Sequence, residues 1–98
     1  MKAYEALVIL DSNLSEEDRA AAIKRISDLV TGGGSTLDNI DEWGKRKLAF
    51  EIDKHTEGDY ILAEFHADPS AIAEIDRVLR ITDAVVRFII IQRDEKKS

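Results

Sequence analysis

Three consecutive cations, Lys45, Arg46 and Lys47, stand in the stretch "WGKRKLAFEI" (43–52) of a chain whose formal net charge is -6. Lysine and arginine at the head of an extended segment suit phosphate, because both donate several N–H bonds and the arginine fork matches two phosphate oxygens at once. Such contacts give affinity and orientation, not sequence readout. The row also has a purely structural reading, since lysines on an edge strand keep sheets from pairing edge to edge. Other chemistry finds little to work with. The chain has no cysteine and two histidines, so thiolate chemistry, a disulfide framework and a structural zinc site are not expected, and no metal or cofactor is assigned. His55 falls in a turn and His66 at a strand end, with no Ser or Cys nucleophile at a suggestive spacing. Both read as solvated surface histidines, and no catalytic residue is assigned. Glu16, Glu17 and Asp18 read as a helix start instead of a metal site. The glycines of "TGGGST" (31–36) close a helix, whereas a phosphate loop opens one.

Charge is unevenly spread. Residues 11–42 carry a balance of -5, residues 43–54 a balance of +2 and residues 77–98 a balance of +3. Net acidity argues against indiscriminate nucleic-acid binding, but it averages over faces. Ninety-eight residues suit a single domain with a modest core. The N-terminal "MKAYEALVIL" is interrupted by Glu5 and lacks a cleavage site, so it does not read as a signal peptide. No apolar run approaches the about 20 residues that span a bilayer; "VVRFIII" has an arginine in its middle. A soluble, cytoplasmic domain without membrane contact is expected.

The elements that position these residues follow from periodicity. Residues 2–10 alternate as a strand, with Tyr4, Ala6, Val8 and Leu10 on one face and Glu5, Leu7 and Ile9 on the other. Ser15 with Asp18 forms a short-armed capping box, and Glu16 and Glu17 suit the positive end of a helix. In that helix Ile23, Ile26, Leu29 and Val30 are apolar, while Arg19, Lys24, Arg25 and Asp28 fall outside. A long extended segment covers about 36–53 with Gly44 as a bulge, "KHTEGD" (54–59) turns, and residues 59–67 return. Asp68 caps a second helix with Pro69 in its first turn; Ile72, Ile75, Val78 and Leu79 are its apolar side. Residues 84–93 form the last strand. The order strand–helix–strand–strand–helix–strand predicts an α+β, ferredoxin-like βαββαβ domain over 1–93: a four-stranded antiparallel sheet with both helices on one face, two right-handed crossovers, and a solvated tail at 94–98.

Such a fold leaves one sheet face open. If Tyr4, Val8, Leu48, Phe50, Ile61, Phe65, Phe88 and Ile90 face the helices, the open face receives Glu5, Leu7, Ile9, Tyr60, Leu62, Glu64, Arg87, Ile89 and Ile91. Its aliphatics form either an interaction patch or scattered surface residues. An RNA reader that stacks bases on this face would carry its aromatic signature on the third strand, which is missing here. An acyl-phosphate hydrolase of this topology would want an arginine in a glycine-rich turn after the first strand, and "LDSNLS" has neither. The remaining candidates are cations: Lys45, Arg46, Lys47 and Lys54 on one strand pair, Arg80, Arg87 and Arg93 near the last strand, and Lys2.

Four segments in order, "YEALVIL", "WGKRKLAFEI", "EGDYILAEF" and "LRITDAVVRFIII", resemble the bacterial ribosomal protein S6 family over nearly the whole length. The resemblance implies a ferredoxin-like protein without catalytic activity or small-molecule substrate. It further implies pairing with ribosomal protein S18 and binding to the central domain of small-subunit ribosomal RNA, in support of platform assembly. Carried over by position, Lys2 and Lys45, Arg46 and Lys47 are the implied RNA contacts, followed by Lys54, Arg80, Arg87 and Arg93. Trp43 and the open face (Tyr60, Leu62, Ile89, Ile91) are the implied partner-protein surface. Two residues depart from the family pattern: Glu51 where proline is common and Asp59 where an aromatic is common, each adding negative charge near the hairpin. A rival of another class is a homodimeric, amino-acid-sensing regulatory module of the same topology, which would need a small-molecule site at a helix start. The "DSNLS" turn lacks the glycines usual there.

Overall fold

The computed structural model describes residues 1–52 and 55–93, leaving the side chains of residues 49–52 and 55 outside that description. The elements run β1 (Lys2–Asp11), α1 (Glu16–Thr31), β2 (Thr36–Ile52), β3 (His55–Ala67), α2 (Ile72–Arg80) and β4 (Val85–Gln92). All neighbouring strands pair antiparallel in the order β2-β3-β1-β4, the ferredoxin-like arrangement expected, with β2 and β4 at the edges. The expected tail, Lys54 and the side chain of Phe50 lie outside the described residues.

Central β1 carries the core. Its even positions, Tyr4, Ala6, Val8 and Leu10, are buried opposite Phe65, Ala63 and Ile61 of β3 and beneath Ile26, Val30, Ile75 and Leu79 of the helices. Tyr4 and Phe65 stack with ring centroids 5.8 Å apart, so the strand pair contributes shape as well as apolar area to this layer. Helix α1 starts where Ser15 Oγ accepts from the Asp18 amide at 3.1 Å, with Glu16, Glu17 and Asp18 in the first turn near the positive end of the dipole. The glycine run ends it, Gly32 to Gly34 forming a 3-10 turn.

Several expectations are corrected. Residues 55–59, expected in a turn, belong to β3, which begins at His55. The second helix opens as a 3-10 turn, Pro69–Ala71, capped by the Asp68 carboxylate on the Ser70 amide at 3.0 Å, before α2 proper. The last strand is Val85–Gln92 instead of 84–93. Leu48 does not face the helices: its Cδ2 would sit 3.4 Å from a Cβ placed on Gly58, which lies beside Ile9 of the open face. His66 is not simply solvated, since its Nδ1 lies 2.6 Å from Asp38 Oδ2.

Arg19 is the largest correction. It turns inward from α1, donating from Nη1 to Glu42 Oε1 of β2 at 2.8 Å and from Nε and Nη2 to the Asp59 carboxylate of β3. Asp59 is 2% exposed, so a bare carboxylate there would be strongly unfavourable without this cation. Hydrogen bonds to Asp59 first and Glu42 second hold the Arg19 guanidinium above its ordinary range. The extra negative charge at Asp59 is therefore neutralised internally, and the pair ties α1 to both strands of the hairpin.

Two stability predictions arise here. Arg19→Leu strands the buried Asp59 carboxylate and should lower unfolding free energy by about 3 kcal/mol in urea titrations, whereas Arg19→Leu combined with Asp59→Leu should regain most of it. If the single and double variants are equally unstable, the ion pair is not what the site needs. At Gly58 a Cβ would meet Ile9 Cγ2 at 2.2 Å. The β-branched Ile9 has little rotamer freedom to yield, so Gly58→Ala should cost about 2 kcal/mol, and an unchanged urea midpoint would contradict that packing.

Candidate functional site

Edge strand β2 supplies the cation row, and one backbone irregularity decides which way each cation points. Register against β3 slips between Glu42 and Gly44, where Gly44 adopts φ 84. Only glycine takes this conformation readily, so the residue type and the bulge go together. Before the slip, Glu42 pairs with Ile61 on the helix side; after it, Gly44 pairs with Tyr60 and Arg46 with Gly58 on the open side. Lys45 and Lys47, opposite Asp59 and Glu57, fall on the helix side. Lys45 there borders a hollow shared with Asp11, Glu16, Arg19 and Asp59. All three cations are exposed.

The open face has three zones. At one end Asp38, Glu64, His66 and Arg93 form a polar network: Arg93 donates to Glu64 Oε2 and Asp38 Oδ2, both at 3.2 Å, and Asp38 also holds His66. In the middle the registers align Leu7 with Leu62 and with Ile89, and Glu5 with Ile91. Ile89 and Ile91 are 52% and 46% exposed, whereas Ile9 on the same face is buried. At the other end Trp43 lies parallel to Tyr60, with centroids 6.2 Å apart, and the Arg46 guanidinium sits over the Trp43 ring.

Ion pairing separates the cation candidates. Arg93 is engaged by two carboxylates, and Arg80 by Asp76 at 2.8 Å while it covers Phe88. Lys24 and Arg77 are likewise paired along their own helices. Among the described residues, Lys2, Arg25, Lys45, Arg46, Lys47 and Arg87 have no carboxylate within ion-pair distance. Three of these six are consecutive on β2, and Arg87 belongs to the open face by its register with Ile9. Lys2 is exposed at the start of β1, away from that row. The structure thus brings Lys45, Arg46 and Lys47 together as available charge, and leaves Arg80 and Arg93 occupied.

The Arg19–Glu42–Asp59 cluster and the Asp38–His66–Arg93–Glu64 network were missed by sequence reasoning, although a signal for the first was present. Asp59 shares the parity of Ile61, Ala63 and Phe65, and Arg19 stands three and seven residues before the buried Ala22 and Ile26. Among the described residues no group of three His, Asp or Glu is placed to hold a metal ion, and no helix is long and apolar enough to cross a membrane.

Known proteins share this fold and much of this sequence. The family model for ribosomal protein S6 matches residues 3–92. The small ribosomal subunit protein bS6 of Thermoanaerobacter pseudethanolicus is 47% identical over 97% of this chain and its own full length. The bS6 of Clostridium kluyveri is 49% identical over 98% of this chain and its own full length. A crystal structure of 30S ribosomal protein S6 from Thermotoga maritima superposes with a TM-score of 0.89 at 29% identity, covering 94% of this chain and 87% of that one. Fold, matched span and identity agree, and the chain belongs to the ribosomal protein S6 family.

Proposed function

We propose that this chain binds the central domain of small-subunit ribosomal RNA together with ribosomal protein S18, meeting phosphate with the β2 cation row and the partner with the open sheet face. As a member of the S6 family it is a structural component of the bacterial small ribosomal subunit and not an enzyme, and it works on the ribosome in the cytoplasm. The observation that carries the finer reading is the row of three exposed, unpaired cations on an edge strand of an otherwise acidic chain. Phosphate contacts release counterions, which makes binding salt-dependent. A protein of net charge -6 gains little from non-specific attraction to RNA, which supports a requirement for a partner that completes the charged surface.

Each RNA candidate has a different standing within that reading. Lys45, Arg46 and Lys47 are the principal contacts, with Arg87 and Lys2 as flanking charge. Arg80 and Arg93 serve the fold, holding α2 over Phe88 and tying β4 to β2 and β3. For the protein partner, Leu62, Ile89 and Ile91 present an aliphatic strip on the open face, bordered by Tyr60.

The reading is tested by titrating a central-domain RNA fragment with the chain, with and without S18, across a salt series. Tight binding is expected only with S18 present. Arg46→Ala with Lys47→Ala should weaken it at least about tenfold near 0.15 M salt and flatten the dependence of log affinity on log salt by about 1.5. Arg80→Ala should stay within about twofold of the parent, and an equal loss there would point to diffuse charge instead of a site. For the partner surface, Ile89→Asp should weaken association with S18 about tenfold or more while leaving the urea midpoint nearly unchanged, because the side chain is half exposed. Undiminished S18 binding would place the partner elsewhere.

A further inference from the structure

Trp43, the chain's single tryptophan, is fixed on the open face from three sides. Its ring lies at 8° to Tyr60, its Nε1–H donates to Asp41 Oδ2 at 3.2 Å, and the Arg46 guanidinium carbon lies 5.4 Å from its centroid. Residues three apart on a regular strand point to opposite faces. Trp43 and Arg46 share one face because the bulge at Gly44 resets the alternation between them. Opposite Arg46 stands Gly58, which has no side chain to lift the arginine off the sheet. A guanidinium held over a ring by cation–π attraction still has N–H donors to offer an anion. Among the described residues no carboxylate occupies those donors.

We propose that Trp43 is a positioning residue for RNA: stacked on Tyr60, it holds the Arg46 guanidinium over its ring on the open face, where the guanidinium donates to a backbone phosphate. This rests on the reading that the β2 cations bind RNA, and it moves Trp43 from the partner-protein surface to the RNA surface. An arginine already confined in the free protein loses less rotamer freedom on binding. Combined with the stacking itself, the arrangement corresponds to about a fivefold gain in affinity.

The test is a titration of the central-domain RNA fragment at saturating S18 with the parent chain, Trp43→Leu, Trp43→Phe, Arg46→Ala, and Trp43→Leu with Arg46→Ala. Trp43→Leu should bind about fivefold more weakly, and Trp43→Phe, which keeps a ring face, should recover most of the loss. Arg46→Ala should lose more, and the double variant should bind no more weakly than Arg46→Ala, because tryptophan then has nothing to position. Arg46→Ala should also shift the emission of the single tryptophan without RNA, a readout that altered stability alone does not move. Parental RNA affinity in Trp43→Leu, or additive losses in the double variant, would overturn the proposal while leaving the RNA reading of β2 intact. So would a Trp43→Leu defect seen in S18 association alone, which would make Trp43 a protein contact. Failure of the parent chain to bind RNA would overturn both.

Discussion

At Gly44 the backbone takes φ 84, and the side-chain alternation of β2 restarts one residue out of step. For a residue with a Cβ this conformation costs about 1–2 kcal/mol, so the bulge is written into the sequence as a glycine. Upstream of it Ile40 packs against the core and Glu42 reaches Arg19. Downstream, the same side of the strand carries Lys45 and Lys47, while Arg46 joins Trp43 on the open face. An uninterrupted strand would set Arg46 on the helix side with Glu42 and separate it from Trp43. One glycine therefore divides β2 into a half that belongs to the core and a half that presents charge.

Availability of charge, more than its amount, distinguishes the cation row. The acidic residues of this chain are not spread evenly as a repulsive coat; many are spent on cations nearby. Asp28 holds Lys24, Glu74 holds Arg77, Asp76 holds Arg80, and Asp38 with Glu64 holds Arg93. Exposed pairs of this kind contribute little to stability, typically below 1 kcal/mol, but each removes a cation from competition for phosphate. With a Debye length of about 8 Å at physiological salt, a phosphate approaching β2 meets Lys45, Arg46 and Lys47 together with the acids beside them, such as Asp41 and Glu57, and hardly the acids across the molecule. A net charge of -6 and a phosphate-binding edge are compatible on that length scale.

Most of the architecture was legible because it rests on local periodicity and on caps with a mechanism. Alternation in β1 and β3, Ser15 and Asp68 as caps, and the glycine run after α1 all take the roles their residue types imply. What escaped depends on register between strands distant in sequence. Alternation groups Leu48 with Phe50 but does not say which side of the sheet that group faces; only the register of β2 against β3, past the bulge, sets Leu48 on the open side. Arg19 looked like a solvent residue because arginine usually is one. Its partners are 23 and 40 residues away, and no window of sequence contains them. The network of His66, Asp38 and Arg93 likewise spans 28 and 55 residues. Of the candidate site, the cation row was readable from composition, whereas which cations remain unpaired is a tertiary property.

The Arg19–Glu42–Asp59 cluster and the cation row are adjacent, and that adjacency has a physical consequence. Glu42 is bound by Arg19, the bulge follows at Trp43 and Gly44, and the cations begin at Lys45. Across the pair, Asp59 is bound by the same arginine while its neighbours Gly58 and Tyr60 form the floor beneath Arg46 and Trp43. Edge strands are held by hydrogen bonds on one side only and open more readily than central ones. By fastening β2 and β3 to α1 at this level, Arg19 restrains the edge that carries the exposed cations. Binding through ordered groups wastes less free energy on immobilising them. A half-buried arginine on the helix side thus supports an exposed arginine on the other, across the bulge at Gly44.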